Sequence, residues 1–123
     1  MGKTRTILFV EDNARIREVL PEILPEDEFR SLVAADAKEA LRILCDQHVD
    51  LLLTDIVMPG LDGIELALKV KRVWPDILVI LMTGYSSRAK EAESIGPLLI
   101  KPTRAIEIET VIRRTLDPSF RIH

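Results

Sequence analysis

Five short apolar runs, each followed by a stretch of helical periodicity, constrain this chain more than any other feature. The runs are TILFV (6–10), RSLVAA (30–35), DLLLTD (50–55), DILVILMT (76–83) and PLLI (97–100). Three of them are continuously apolar, as parallel strands covered on both faces are, rather than alternating like a half-exposed antiparallel sheet. Ile16, Val19, Leu20, Ile23 and Leu24 fall at i, i+3, i+4, i+7 and i+8, and so do Ile108, Val111, Ile112, Thr115 and Leu116. Each of these helices is expected to lay one apolar stripe on a sheet. Alternating β and α with short connections implies an α/β doubly wound sheet with right-handed crossovers.

Local signals mark the boundaries. Asp36 with Glu39, and Asp62 with Glu65, have the spacing of an N-cap and its reciprocal acid, and are expected to start the second and third helices. Pro75 and Pro118 should end the third and fifth. Pro21 lies inside the first helical pattern, where it removes the amide that would bond the carbonyl of Arg17, so a kink is expected there.

Composition limits the function classes. A chain of 123 residues that is 47% hydrophobic reads as one domain over 1–123, with its core at about 5–117. A net charge of −3 and a pI near 5.4, with both signs scattered, offer no basic stripe for nucleic acid and no polybasic membrane patch. There is no signal-peptide pattern, and no apolar run approaches the ~20 residues of a membrane span. The single Cys45 cannot form an internal disulfide, suits a cytoplasmic location, and is expected to be a packed core thiol.

Ligands of doubly wound sheets bind beyond the carboxyl ends of the strands, near the reversal of strand order. The residues at those ends are Glu11, Asp12, Asp55, Thr83 and Lys101. Each alone has an ordinary explanation: acids at the positive end of a helix, an aspartate forming a turn before Pro-Gly, a threonine ending a strand, a solvated lysine. Their conjunction on one rim is harder to dismiss. Crowded carboxylates repel and would protonate unless a cation sits among them. With oxygen donors and no Cys or His, that cation is expected to be hard, and Mg²⁺ characteristically completes its shell with water and phosphate oxygens. Asp55, beside a metal and a lysine, is then a plausible nucleophile toward phosphorus, giving an acyl phosphate.

The segments VEDN (10–13), DIVMPGLDG (55–63), MTGYS (82–86) and KP (101–102) resemble, in order, the motifs of response-regulator receiver domains of two-component signalling. The resemblance runs from about residue 5 to residue 117. It implies a flavodoxin-like (βα)5 fold with a five-stranded parallel sheet in the order 2-1-3-4-5. It implies that Asp55 is phosphorylated by a histidine kinase or histidine phosphotransfer protein. It further implies that Glu11 and Asp12 hold Mg²⁺ with Asp55 and the backbone carbonyl of Val57, that Thr83 is the switch hydroxyl, and that Lys101 pairs with the phosphoryl group. Slow autodephosphorylation and a readout surface on the fourth helix, fifth strand and fifth helix follow from the same resemblance. A new group of charge about −1.5 to −2 can draw in a hydroxyl and an ammonium.

Two departures fall on the readout side. The position three before the lysine, where receivers often carry Tyr or Phe, is Leu98, and only 18 residues separate Thr83 from Lys101. That interval is shorter than the resemblance implies by about one helical turn of roughly 3.6 residues, so the fourth helix in SSRAKEAESI should be short. Tyr85 is expected either to hinder water at the pocket mouth, prolonging the acyl phosphate, or to contact a partner. With only PSFRIH after Asp117, the chain reads as a stand-alone receiver or as the receiver of a longer protein such as a hybrid histidine kinase.

Other classes fit less well. A haloacid-dehalogenase-type enzyme carries its nucleophile in a DxD pattern after the first strand, which is missing. A flavodoxin-like cofactor module needs a hydroxyl-rich phosphate loop where this chain has EDNAR. A receiver that works unphosphorylated as a docking module would not need the complete rim.

Overall fold

The five apolar runs form strands β1 (Arg5–Val10), β2 (Phe29–Ala34), β3 (Leu51–Asp55), β4 (Leu78–Thr83) and β5 (Leu98–Ile100) in a computed structural model, which describes residues 3–84 and 88–120. They make one parallel sheet in the order β2-β1-β3-β4-β5, as expected from the sequence. All five residues of the central β3 are buried, as are five of six in both β1 and β4. That is why these runs are continuously apolar: helices cover both faces.

The pleat divides the strands between two cores. Leu8, Val10, Leu52 and Leu81 pack on one face against α2 (Ala37–Asp46) and α3 (Gly63–Val73), with Ala92 of α4 (Ala89–Glu93). Ile7, Phe9, Leu51, Leu53, Ile80 and Met82 pack on the other against Leu20 and Leu24, which follow α1 (Ala14–Val19), and against Ile108 and Ile112 of α5 (Ala105–Leu116).

The helix starts follow their caps. Asp36 accepts the Glu39 N–H at 2.8 Å. Asp62 accepts the Glu65 N–H at 2.9 Å while Glu65 accepts the Asp62 N–H at 3.4 Å, a reciprocal capping box. α3 ends one residue short of Trp74 and Pro75, and α5 stops before Asp117 and Pro118. α4 is only five residues long, as the short interval required.

Three expectations need correction. Pro21 does more than kink the first helix: α1 stops at Val19 and the chain tightens into a 3-10 turn over Leu20–Ile23, where the proline sits in the first turn and no longer deprives a helix interior of its amide. The predicted stripe is therefore broken, and Val19 is 52% exposed while Leu20 and Leu24 are buried. Cys45 is exposed rather than packed. Ala37, Ala40 and Leu44 form the buried face of α2, and a residue directly after Leu44 is rotated off that face by about 100°.

Candidate functional site

Strand order reverses between β1 and β3, and the acids lie at the carboxyl ends of these two neighbours. The Glu11 N–H donates to the Ala34 carbonyl at 3.0 Å, so the chain keeps its strand course one residue beyond β1 and turns the Glu11 side chain inward, 1% exposed. Asp12, the next residue, is exposed. Asp55 closes β3 and is buried. Beyond it the Ile56 N–H donates to the Met82 carbonyl at 2.9 Å and the Gly63 N–H returns to the Ile56 carbonyl at 2.8 Å, which closes the intervening loop into a compact ring. Gly60 makes the turn at φ 76°, a conformation that favours glycine. Gly63 is required for a different reason: a Cβ there would stand 1.9 Å from the carbonyl oxygen of Asp55.

The other two groups enter from β4 and β5. Thr83 ends β4, and the Lys101 N–H donates to its carbonyl at 2.8 Å. The Lys101–Pro102 peptide bond is cis. Lys101 Nζ lies 3.0 Å from Asp55 Oδ2 and 3.0 Å from Glu11 Oε1. Glu11 Oε2 accepts the Asn13 N–H at 3.0 Å, so both oxygens of the buried glutamate are engaged. Among the described residues, Asp55 Oδ1 and the Asp12 carboxylate accept no hydrogen bond, and Thr83 Oγ1 is buried with no partner. All five rim residues predicted from the sequence are placed in this way. Val57 lies two residues past Asp55 and is 63% exposed, and Tyr85 lies outside the described residues.

The electrostatics are unbalanced toward negative charge. Burial pushes the Asp55 carboxyl above the ordinary aspartate value; Lys101 opposes this, and Glu11 and Asp12 add to it. For Lys101 burial acts the other way, but its bonds to Asp55 and Glu11 outweigh it and hold the ammonium above the usual lysine value. Glu11, Asp12 and Asp55 each offer an oxygen within 4.8 Å of the others. Three oxygen donors at this separation fit a hard divalent cation, and the two unengaged acceptors, on Asp12 and Asp55, are available to it.

Three supporting features were not anticipated. Arg17 reaches back from α1 so that its Nη1 donates to the backbone carbonyls of Glu11 at 2.9 Å and Asp12 at 3.2 Å. Arg88, before α4, pairs with Asp62 at the start of α3 and with Glu91 at 2.9 Å. Beside Lys101 runs an apolar groove of about 800 Å³ lined by Ile16, Val19, Leu20, Ile23, Pro102, Ala105 and Ile108. Its signal was present in the sequence as Pro21, which shortens α1 and leaves Val19 uncovered.

The receiver-domain family of response regulators matches residues 7–113. The chain belongs to that family. Among curated relatives it is 33% identical over 114 residues to sporulation initiation phosphotransferase F of Bacillus subtilis, covering 89% of this chain and 92% of that protein. It is 40% identical over 84 residues to the hydrogenase transcriptional regulatory protein HoxA of Cupriavidus necator, a match of 68% of this chain but only 17% of that longer protein. The response regulator TrrA of Thermotoga maritima, solved in complex with Mg²⁺-BeF, superposes with a TM-score of 0.83 at 30% identity, covering 92% of this chain and all of TrrA. The protein is thus a receiver domain of two-component signalling, whose members are switched by phosphorylation from a partner kinase. Among the described residues no helix is long and apolar enough to cross a membrane.

Proposed function

We propose that this receiver domain accepts a phosphoryl group on Asp55 from a phosphohistidine of a histidine kinase or phosphotransfer protein, in a Mg²⁺-dependent reaction in the cytoplasm. The observation that carries the reading is the convergence of Glu11, Asp12 and Asp55 within 4.8 Å, with one ammonium 3.0 Å from two of them. An Asp55 oxygen forms the new O–P bond as the N–P bond to the donor imidazole breaks and the imidazole leaves with the electron pair. Glu11, Asp12, Asp55 and the backbone carbonyl of Val57 are the groups that would hold Mg²⁺, Asp12 and Asp55 through their unengaged oxygens. When bound, the ion neutralises charge shared by the attacking carboxylate and the phosphoryl oxygens. Lys101 already faces Asp55 and becomes the fixed counter-charge of the product. Thr83, whose buried hydroxyl lacks a partner among the described residues, gains one in the phosphoryl oxygens, and that unmet bonding is what makes it a switch.

The partner docks along the groove beside Lys101, where apolar residues of α1 and α5 border the reacting carboxylate. Readout passes through α4, β5 and α5, with Leu98 in place of an aromatic residue. Return to the resting state is by slow autodephosphorylation, water attacking the acyl phosphate. The test is incubation with Mg²⁺ and acetyl phosphate followed by intact mass measurement: wild type gains one phosphoryl mass and Asp55→Asn gains none. Modification of both proteins would place the acceptor elsewhere.

A further inference from the structure

We propose that Arg17 is a positioning residue for the metal-holding acids, acting through the backbone of the loop between β1 and α1. This rests on the reading that Glu11 and Asp12 bind Mg²⁺. The Glu11 side chain braces the loop, Oε1 to Lys101 Nζ and Oε2 to the Asn13 N–H, both at 3.0 Å, but neither bond engages the loop's own carbonyls. The loop's cap on α1 is Asn13, whose Oδ1 accepts the N–H groups of Arg15 at 3.0 Å and Ile16 at 3.2 Å, and its backbone is tied to the sheet by the Glu11 N–H bond to Ala34. The carbonyls of Glu11 and Asp12 lie between these two anchors, and Arg17 Nη1 ties both of them to the first turns of α1. One Nη1 shared between the two carbonyls fixes the directions of two successive peptide groups, and with them the directions in which the two side chains leave the backbone. Glu11 is then turned inward to Lys101 while Asp12 stays at the rim with its carboxylate free.

Charge and position make opposite predictions for this residue. A cation close to the acid pair repels Mg²⁺, so if charge were its only effect, removing it would tighten metal binding. If Arg17 acts by holding the ligands in place, removing it weakens binding, as the loss of groups that orient metal ligands does, by about tenfold or more.

The test is a Mg²⁺ titration of the whole chain, followed by backbone amide shifts, in wild type, Arg17→Met, Arg17→Lys and Asp12→Asn. Wild type binds, Asp12→Asn does not, Arg17→Met binds about tenfold more weakly, and Arg17→Lys, which keeps the charge on a shorter side chain, falls between wild type and the methionine variant. Wild-type or tighter binding by Arg17→Met overturns the inference. If that variant fails to fold, wild-type affinity in Arg17→Lys overturns it equally. If wild type takes up no Mg²⁺, the functional reading falls first and this one with it; if wild type binds, Asp12→Asn does not and both Arg17 variants behave as wild type, only the positioning role is lost.

Discussion

Lys101 Nζ stands 3.0 Å from Oε1 of Glu11, a residue ninety positions earlier in the chain and 1% exposed. The lysine is thus more than a counter-ion for Asp55: it also compensates a glutamate that the fold has taken out of water. Removing one partner of a buried pair leaves the other as an unpaired buried charge, at a cost of roughly 3 to 5 kcal/mol. Lys101→Met is expected to lose roughly 3 kcal/mol of stability in urea unfolding at neutral pH, and adding Glu11→Gln in the same chain should restore most of it. An additive double variant would show that the two groups are not coupled.

Thr83 predicts a change of the opposite sign. A buried hydroxyl with no partner among the described residues is an unmet desolvation cost, so Thr83→Val, which keeps the shape, should stabilise the resting protein by about 1 kcal/mol. The same variant should show a smaller change in its amide spectrum on treatment with acetyl phosphate, because the hydroxyl that answers the phosphoryl group is gone. A destabilised Thr83→Val would mean that the hydroxyl is satisfied in solution.

Gly63 tests how tightly the loop after Asp55 is drawn against its strand. A Cβ there would meet Asp55 O at 1.9 Å and the Asp55 carbonyl carbon and Ile56 Cα at 2.8 Å, contacts with backbone that no rotamer change can relieve. Gly63→Ala is expected to cost about 3 kcal/mol and to slow phosphorylation by acetyl phosphate, since it is Asp55 itself that must move. Wild-type thermal stability would show that the ring is looser than this geometry.

Acid stability should depend on Asp50, at the opposite end of β3 from Asp55. Burial alone would raise its pKa, but the Thr6 N–H at 2.8 Å and the His48 ring at 2.9 Å hold it below the ordinary aspartate value. A folded pKa below the unfolded one means that the stabilisation is present above the unfolded value near 3.9 and is lost as pH falls through the folded value. The stability difference between wild type and Asp50→Asn, about 1 kcal/mol, should therefore be fully present at pH 5 and should shrink below about pH 4. A difference that persists unchanged to pH 2.5 would contradict the assignment.

Docking and chemistry can be separated at Val19, which lines the groove and is 52% exposed. Val19→Glu should leave phosphorylation by acetyl phosphate unchanged and reduce phosphotransfer from a phosphorylated histidine phosphotransfer protein by about tenfold, equivalent to about 1.4 kcal/mol of lost binding. Equal loss with both donors would point to damage at the rim rather than at the proposed docking groove.

Much of this protein is set by local pattern. Continuous apolar runs required strands buried on both faces, the Asp36–Glu39 and Asp62–Glu65 pairs fixed where two helices begin, and the short interval before Lys101 limited α4 to little more than a turn, because period, capping and chain length act within a few residues of one another. What tertiary structure alone decided is how distant segments meet. Strand order placed Lys101 against Glu11, left Thr83 Oγ1 without a partner among the described residues, and brought Arg17 back onto two carbonyls that no periodicity marks. It also turned Cys45 to solvent, since the side of a helix that finds cover depends on what packs against it.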